Sequence, residues 1–375
     1  MGQSLRNRRW FRVLTHVCRT LVAVTFIFSG FFKAIDPWGT AININNYLVT
    51  YGLESLKPLV MIFSIWLCGA ELMMGCMLLC KVRIRMVSIF SSVSMIFFTL
   101  LTFLSATFIP VEDCGCFGEV LKLSPWQTFL KNIILLPMVL CVWWRYRPDK
   151  VFAFSRLEMV LAVTFCTISM GVGAYCYYHL PLIDLLPYRK GVNIAEQMQK
   201  AQAEQQDSEV VLVYRNRRNG KLREFSLKDN AWHNDKRWEW VETRVLSEDD
   251  DRHRVEPMIL EFYISDERGD VTDSLLSLKG DLYMLCVSRL NDVGEACEQR
   301  LRHAVEQATD SSASVVLLTP EPITRPTYRS FDGSVPVRCY NIDAKTMKTM
   351  LRADVGLVRL TDGTITDKRN CRDIE

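Results

Sequence analysis

Charge is scarce in one long stretch of this 375-residue chain: apolar residues crowd from Val13 to Tyr178, and charged ones dominate from Arg189 onward. A large net charge is missing too. The 45 Lys and Arg residues against 42 Asp and Glu leave +3. The basic residues are dispersed or flank apolar runs, and no nucleic-acid-binding motif occurs, so nucleic acid is excluded as an expected partner. No small-x-small cleavage site follows the first apolar run, which is also too long for a signal peptide and reads as a retained anchor. The length allows two domains, and the break in composition near His179 separates them.

Five windows meet the ~20-residue apolar length of a spanning helix: Val13 to Ala34, Pro58 to Cys80, Met86 to Ile109, Trp126 to Trp144 and Glu158 to Tyr178. Basic residues in short loops tend to stay cytoplasmic. Arg6, Arg8, Arg9 and Arg12 precede span one, Lys81, Arg83 and Arg85 follow span two, and Arg145, Arg147, Lys150 and Arg156 follow span four. The opposite loops offer only Lys33, Lys57 and Lys122. The expected topology is a cytoplasmic N-terminus in the inner membrane with everything after His179 outside the cytoplasm, which in a two-membrane bacterium is the periplasm.

Arg19 and Glu71 lie deepest among the ionisable residues of these windows, where charge is costly unless paired or facing a wet cavity. Counted at ~1.5 Å per residue from Lys33 and Pro58 as outer ends, both sit about 20 Å down, which predicts an Arg19–Glu71 pair. The alternative has Arg19 reaching the cytoplasmic surface and Glu71 bonding a hydroxyl or backbone group. Between spans one and two, Ala41, Ile44, Leu48 and Tyr51 recur at helical spacing within Thr40 to Leu53, as in a short helix on the outer surface.

Of 13 cysteines, about seven fall in apolar stretches, where a thiol behaves as a small hydrophobe. Cys114 and Cys116 differ, because they lie in the polar loop VEDCGCFGEV, Val111 to Val120, with Gly115 and Gly118 to let the backbone bend. A disulfide across one residue closes a strained ring that is easily reduced, which suits exchange. Glu112, Asp113 and Glu119 disfavour a reactive thiolate there, so a structural disulfide or inert thiols stay open. A metal site remains a third reading, although the loop holds no histidine and only His179 offers a further ligand.

Phe28 to Lys33 (FSGFFK, with Gly30), Asp36-Pro37 and Gly39, Glu71 and Gly75, and Asp113-Cys114-Gly115-Cys116-Phe117-Gly118 together resemble the DoxX and MauE membrane families. The resemblance covers about Cys18 to Trp144. It implies a compact four-helix membrane bundle, leaves span five as a tether, and through MauE implies assistance to disulfide formation or maturation of periplasmic proteins.

Beyond the spans, Ala195 to Asp207 is a polar, helix-prone connector without an obvious core face. Strands are expected at Val210 to Arg215, Leu222 to Leu227, Trp238 to Val245 and Ile259 to Ser265. Next come a strand Leu282 to Val287, a helix Glu295 to Gln307, a strand Ser314 to Leu318, a helix Ala344 to Arg352 and a hairpin of Leu357 to Leu360 with Ile365 around Asp362-Gly363. That order resembles a thioredoxin fold, and Asn341 to Lys368 is similar to tails fused to DoxX-like bundles in bacterial membrane proteins. Two working features are missing: a single Cys297 stands where a two-cysteine motif would follow the strand, and no proline precedes the hairpin at Asp354-Val355-Gly356. Cys297 therefore reads as a buried helix residue and not a nucleophile, and Cys286, Cys339 and Cys371, at non-motif positions, likewise read as buried and unreactive.

The expected architecture is a membrane all-α bundle plus a C-terminal α/β thioredoxin-like domain with extra antiparallel strands. Residues 1–157 make the DoxX/MauE-like four-helix domain, 158–180 the fifth span, 181–209 a linker, and 210–375 the extracytoplasmic domain, with a leading β segment (210–278) and a βαβ-type core (279–375). Two functions compete. In one, Cys114 and Cys116 exchange disulfides with periplasmic clients, with a quinone as the conceivable acceptor, although no quinone site is legible and no other cofactor is evident. In the other, the bundle anchors an inactive thioredoxin-like domain that binds a periplasmic or membrane protein partner. A transport role resting on Arg19 and Glu71 ranks behind both.

Overall fold

A computed structural model describes residues 8–108, 115, 123–147, 155–207, 209–216, 222–226, 238–246, 259 and 262–374. Helix α1 (Arg9–Ile35) ends at Asp36, whose side chain accepts from the Gly39 N–H and so caps α2 (Pro37–Thr50), with Pro37 in the first turn. A 3-10 turn, Glu54–Leu59, leads into α3 (Val60–Cys80), and then come α4 (Ile84–Thr107), α5 (Pro125–Tyr146) and α6 (Arg156–Tyr178). Ser124 and Gln127 form a reciprocal capping box that starts α5. Among the described residues five helices, α1 and α3 to α6, are long and apolar enough to cross a membrane.

Small residues let the helices approach closely, which is how helices pack where water supplies no driving force. A Cβ on Gly30 of α1 would sit 2.7 Å from the Leu72 Cα, and one on Gly75 of α3 would sit 2.6 Å from the Ile27 nitrogen. These contacts set α1 and α3 antiparallel in one register. Helix α6 also packs on α3, with Met170 over Gly69 and Ile65 beside Gly173. Span five is therefore part of the bundle and not only a tether.

The expected linker is likewise packed. Leu186, Tyr188 and Ile194 are buried, and Ile194 opens α7 (Ile194–Asp207). Ile194, Met198 and Ala201 form an inward face at helical spacing, which the surrounding glutamines mask in the sequence.

The leading strands β1 (Glu209–Asn216), β2 (Leu222–Ser226) and β3 (Trp238–Leu246) form their own antiparallel sheet in the order β2-β1-β3. Of the expected strand Ile259 to Ser265, the described residues are extended into a strand only at its end, where β4 (Ile264–Asp266) pairs in a hairpin with β5 (Gly269–Asp270), followed by α8 (Thr272–Leu276).

The main sheet is built from β6 (Asp281–Val287), β7 (Ser314–Thr319), β9 (Val337–Ile342), β10 (Val355–Thr361) and β11 (Thr364–Asn370). Its order is β11-β10-β6-β7-β9-β4-β5, with the short β8 (Tyr328–Arg329) on β9. Strands β6, β7 and β9 run parallel, while β10 is antiparallel to β6 and β11 to β10. Helix α9 (Glu295–Asp310) connects β6 to β7 and buries Leu301, Ala304, Val305 and Ala308. Helix α10 (Ala344–Leu351) is capped by Asp343, which accepts from the Thr346 N–H at 2.8 Å. Asp362 and Gly363, both at positive φ, make the tight turn between β10 and β11.

Candidate functional site

The C-terminal end of α1 and the facing stretch of α3 hold a buried polar cluster. Lys33 reaches inward, and its Nζ donates to Glu71 Oε1 at 2.7 Å and Oε2 at 2.8 Å. The Ser29 hydroxyl donates to the same carboxylate at 2.8 Å. Both members of the ion pair are nearly inaccessible, at 6% for Lys33 and 4% for Glu71. Above them the Cys68 thiol faces Thr40 Oγ1 at 3.7 Å, and Ser64 donates to the Pro37 carbonyl at 2.6 Å, fixing the start of α2.

The expected Arg19–Glu71 pair does not form. Arg19 instead donates from Nη1 to the carbonyls of Leu78 (2.5 Å) and Leu79 (2.6 Å) in the last turn of α3, and its Nη2 meets His16 Nδ1 at 3.1 Å. The cause lies in the register. With Gly30 level with Leu72, Arg19 falls beside the end of α3, where the carbonyls of the last turn lack their regular i+4 partners and the helix dipole favours a cation. Lys33, counted as an outer end, is the residue that lies opposite Glu71.

Asp36 carries a second contact that no local sequence pattern marks. Nη2 of Arg352, the left-handed residue closing α10 in the soluble domain, lies 2.9 Å from Asp36 Oδ2, with Arg352 only 1% exposed. Gly39 is required beneath it, because a Cβ there would strike the Asp36 carboxylate and lie 3.2 Å from Arg352 Nη2. Nearby, Lys348 Nζ sits 4.1 Å from the centre of the Trp38 ring, and Trp38 stacks on Tyr177 of α6. Burial pulls the Lys348 ammonium pKa down, with Asp354 opposing that shift. On the other side of the junction Arg372 covers the Tyr178 ring at 4.2 Å, and Asp373 bonds His179 Nδ1 at 2.6 Å. The sheet-rich region is thus seated against the C-terminal end of α1, the start of α2 and the C-terminal end of α6. A cleft of about 550 Å³ opens there, lined by Tyr175, His179, Arg189, Lys190 and Lys368 among others. Lys368 is tied to Asp184 at 2.7 Å and to the Tyr188 carbonyl at 2.9 Å.

Cys114 and Cys116, with Asp113, Phe117 and Gly118, lie outside the described residues. Gly115, between the two cysteines in sequence, is described. It has φ +61°, and a Cβ added to it would collide with the Asn43 side chain on α2. His179, the histidine open to a metal reading, is engaged with Asp373, and among the described residues no group of three or more His, Cys, Asp or Glu gathers as a metal site.

Cys297 and Cys371 require a correction. They are not separate buried thiols but are joined in a disulfide, with Cα atoms 5.6 Å apart and a sequence separation of 74. Nothing in the spacing points to this pairing, which depends on β11 returning the chain to the start of α9. Cys286 and Cys339 are buried free thiols as expected, and burial pushes the Cys286 thiol up to about 12.

Compared with known proteins, residues 11–145 match the family of methylamine utilisation protein MauE. Protein TlpB of Flavobacterium psychrophilum is 27% identical over 185 residues, a stretch that covers 48% of this chain and 46% of that protein, so the match spans about half the length of the curated relative. No solved structure matches. The chain is therefore a multi-pass membrane protein whose first four spans carry a MauE-family match, followed by a sheet-rich C-terminal region.

Proposed function

We propose that this protein supports thiol–disulfide exchange, or the maturation of proteins that depend on it, outside the cytoplasm, with Cys114 and Cys116 as the exchanging pair. The observation that carries the reading is Gly115. Its left-handed backbone and its close approach to Asn43 hold the middle of the Cys-Gly-Cys sequence against the short helix at the outer end of the bundle. The MauE match over the first four spans adds weight. So does the Cys297–Cys371 bond, since disulfides persist in oxidising compartments, as expected for a domain outside the cytoplasm. We read residues 279–375 as thioredoxin-like. Supporting this are the strand order β11-β10-β6-β7, the parallel β6-α9-β7 unit and the antiparallel β10-β11 hairpin after α10, with β9, β4 and β5 added at one edge.

The test is to quench cells rapidly with an alkylating agent and search for mixed disulfides in Cys116→Ala and, separately, Cys114→Ala. A client trapped through the remaining cysteine supports exchange. Thiols that stay fully reduced, with no phenotype in either variant, would sink it.

A second reading is favoured by one observation. The loop after β6, Ser288 to Gly294, carries no cysteine, and a domain seated on the bundle through Asp36 and Arg352 suits an anchored, partner-binding protein. In that case pull-down of a partner survives replacement of both loop cysteines by serine.

A further inference from the structure

The Cys297–Cys371 disulfide has no part in the exchange assigned to the loop, and its two ends are unlike. Cys297 is the third residue of α9 and is partly buried, next to a surface on which Asn291, Asp292, Gly294, Glu295 and Ala296 all face solvent. Cys371 is only 2% exposed and begins the 3-10 turn Cys371–Asp373. A thiol approaching from solvent therefore meets Sγ of Cys297 first, leaving Sγ of Cys371 as the departing group. The first turn of α9 presents the positive end of the helix dipole to Cys297, which stabilises a thiolate there. Glu295 and Glu298 oppose this, but Glu298 lies 3.6 Å from the Arg329 guanidinium, which offsets part of its charge. On the other sulfur's side, Arg300 donates to the Cys371 carbonyl at 3.4 Å.

The bond also holds something in place. Within the turn that Cys371 opens, Arg372 lies over Tyr178 and Asp373 bonds His179. The disulfide thus ties α9 to the segment that grips the outer end of span five.

We propose that Cys297–Cys371 is an exchangeable disulfide, a second redox site in the soluble domain, whose substrate is a pair of thiols on an extracytoplasmic protein. In the first step a client thiolate attacks Sγ of Cys297. The Cys297–Cys371 bond breaks, and Cys371 leaves as a thiolate that takes up a proton. The client's second thiolate then displaces Sγ of Cys297, which is protonated in turn. The client ends as a disulfide, the protein gains two electrons and two protons as a dithiol, and no other oxidant enters the step. Reduction releases the Cys371–Asp373 turn and loosens its hold on α6.

The test uses the purified full chain in detergent with Cys114→Ser and Cys116→Ser, so that it reads this site independently of the loop. The folded protein is treated with dithiothreitol without denaturant, quenched with an alkylating agent, and the Cys297 and Cys371 peptides are weighed. We expect both to be alkylated. Adding Cys371→Ser and supplying oxidised glutathione should give a mixed disulfide on Cys297, whereas adding Cys297→Ser should leave Cys371 without an adduct. Amide hydrogen exchange at residues 371–373 should rise on reduction. Alkylation that appears only after denaturation makes the bond a permanent staple and overturns the proposal, and it does so from wild-type sulfurs even if the added substitutions misfold. Because the loop cysteines are absent, failure here leaves the loop's exchange standing, and failure of the loop's trapping experiment leaves this site standing.

Discussion

Asp36 and Arg352 show how much one pair of residues can decide. Removing one partner of a buried ion pair leaves an uncompensated charge, at a cost of about 3–5 kcal/mol. We expect Arg352→Met to lower the thermal unfolding temperature of the purified chain markedly and the added Asp36→Asn to restore most of it. Single variants that melt with the wild type would mean that this contact does not hold the sheet-rich region to the helices. Glu71→Gln should likewise destabilise, because Lys33 is left charged at 6% exposure, and Lys33→Met with Glu71→Gln should recover part of the loss. Unfolding of the four proteins in detergent, treated as a double-mutant cycle, measures the coupling. The sequence showed that Glu71 needed a partner, but counting depth from Lys33 chose the wrong one. Only the contact register of Gly30 and Gly75 places Lys33, and not Arg19, opposite it. Arg352 was beyond sequence reasoning altogether, since nothing local marks a surface-helix arginine as the mate of a membrane-edge aspartate.

Among the elements, the five spans were legible because length and apolarity alone define them, and each helix lies within a few residues of its expected window. The Asp362-Gly363 hairpin was legible from turn chemistry. Strand β9 was missed because Val337 to Ile342 alternates only loosely, with Arg338, Tyr340 and Asn341 incompletely buried. Its place in the sheet is set by pairing with β7, β8 and β4, which no local pattern encodes. Helix α7 was expected, but its inward face was not, since Ile194, Met198 and Ala201 are too few among glutamines to stand out. Close helix packing gives a contrast to test. Gly75→Leu forces a side chain into the backbone of α1 at Ile27, and we expect it to cost about 1–3 kcal/mol or to prevent folding. Gly171→Leu, with nothing within 4 Å of its Cβ, should change little beyond helix propensity. Monodisperse yield and melting temperature of the two variants compare them directly, and equal behaviour would discount close packing of α1 on α3.

At the scale of the whole molecule, the proposed topology of five crossings would put the N-terminus and the sheet-rich region on opposite faces of the bilayer. We expect an epitope fused after Glu375 to be reached by antibody from the extracytoplasmic side, and one before Met1 only once the inner membrane is opened. The reverse pattern would invert the proposed compartment of Cys114 and Cys116. A bond closing a loop of 74 positions is worth about 4 kcal/mol by chain entropy. The reduced soluble domain should therefore unfold at lower urea than the oxidised form, a difference that denaturation followed by tryptophan fluorescence would read.

The contact between Asp36 and Arg352 also dates the molecule's maturity. Asp36 leaves the ribosome just behind the first helix, whereas Arg352 emerges only after every span and most of the soluble domain have been made. The two meet once the helices are inserted and the tail has been delivered and folded. Their closure is thus a late milestone of biogenesis, and a chain cut short before α10 would carry every membrane helix yet never reach it.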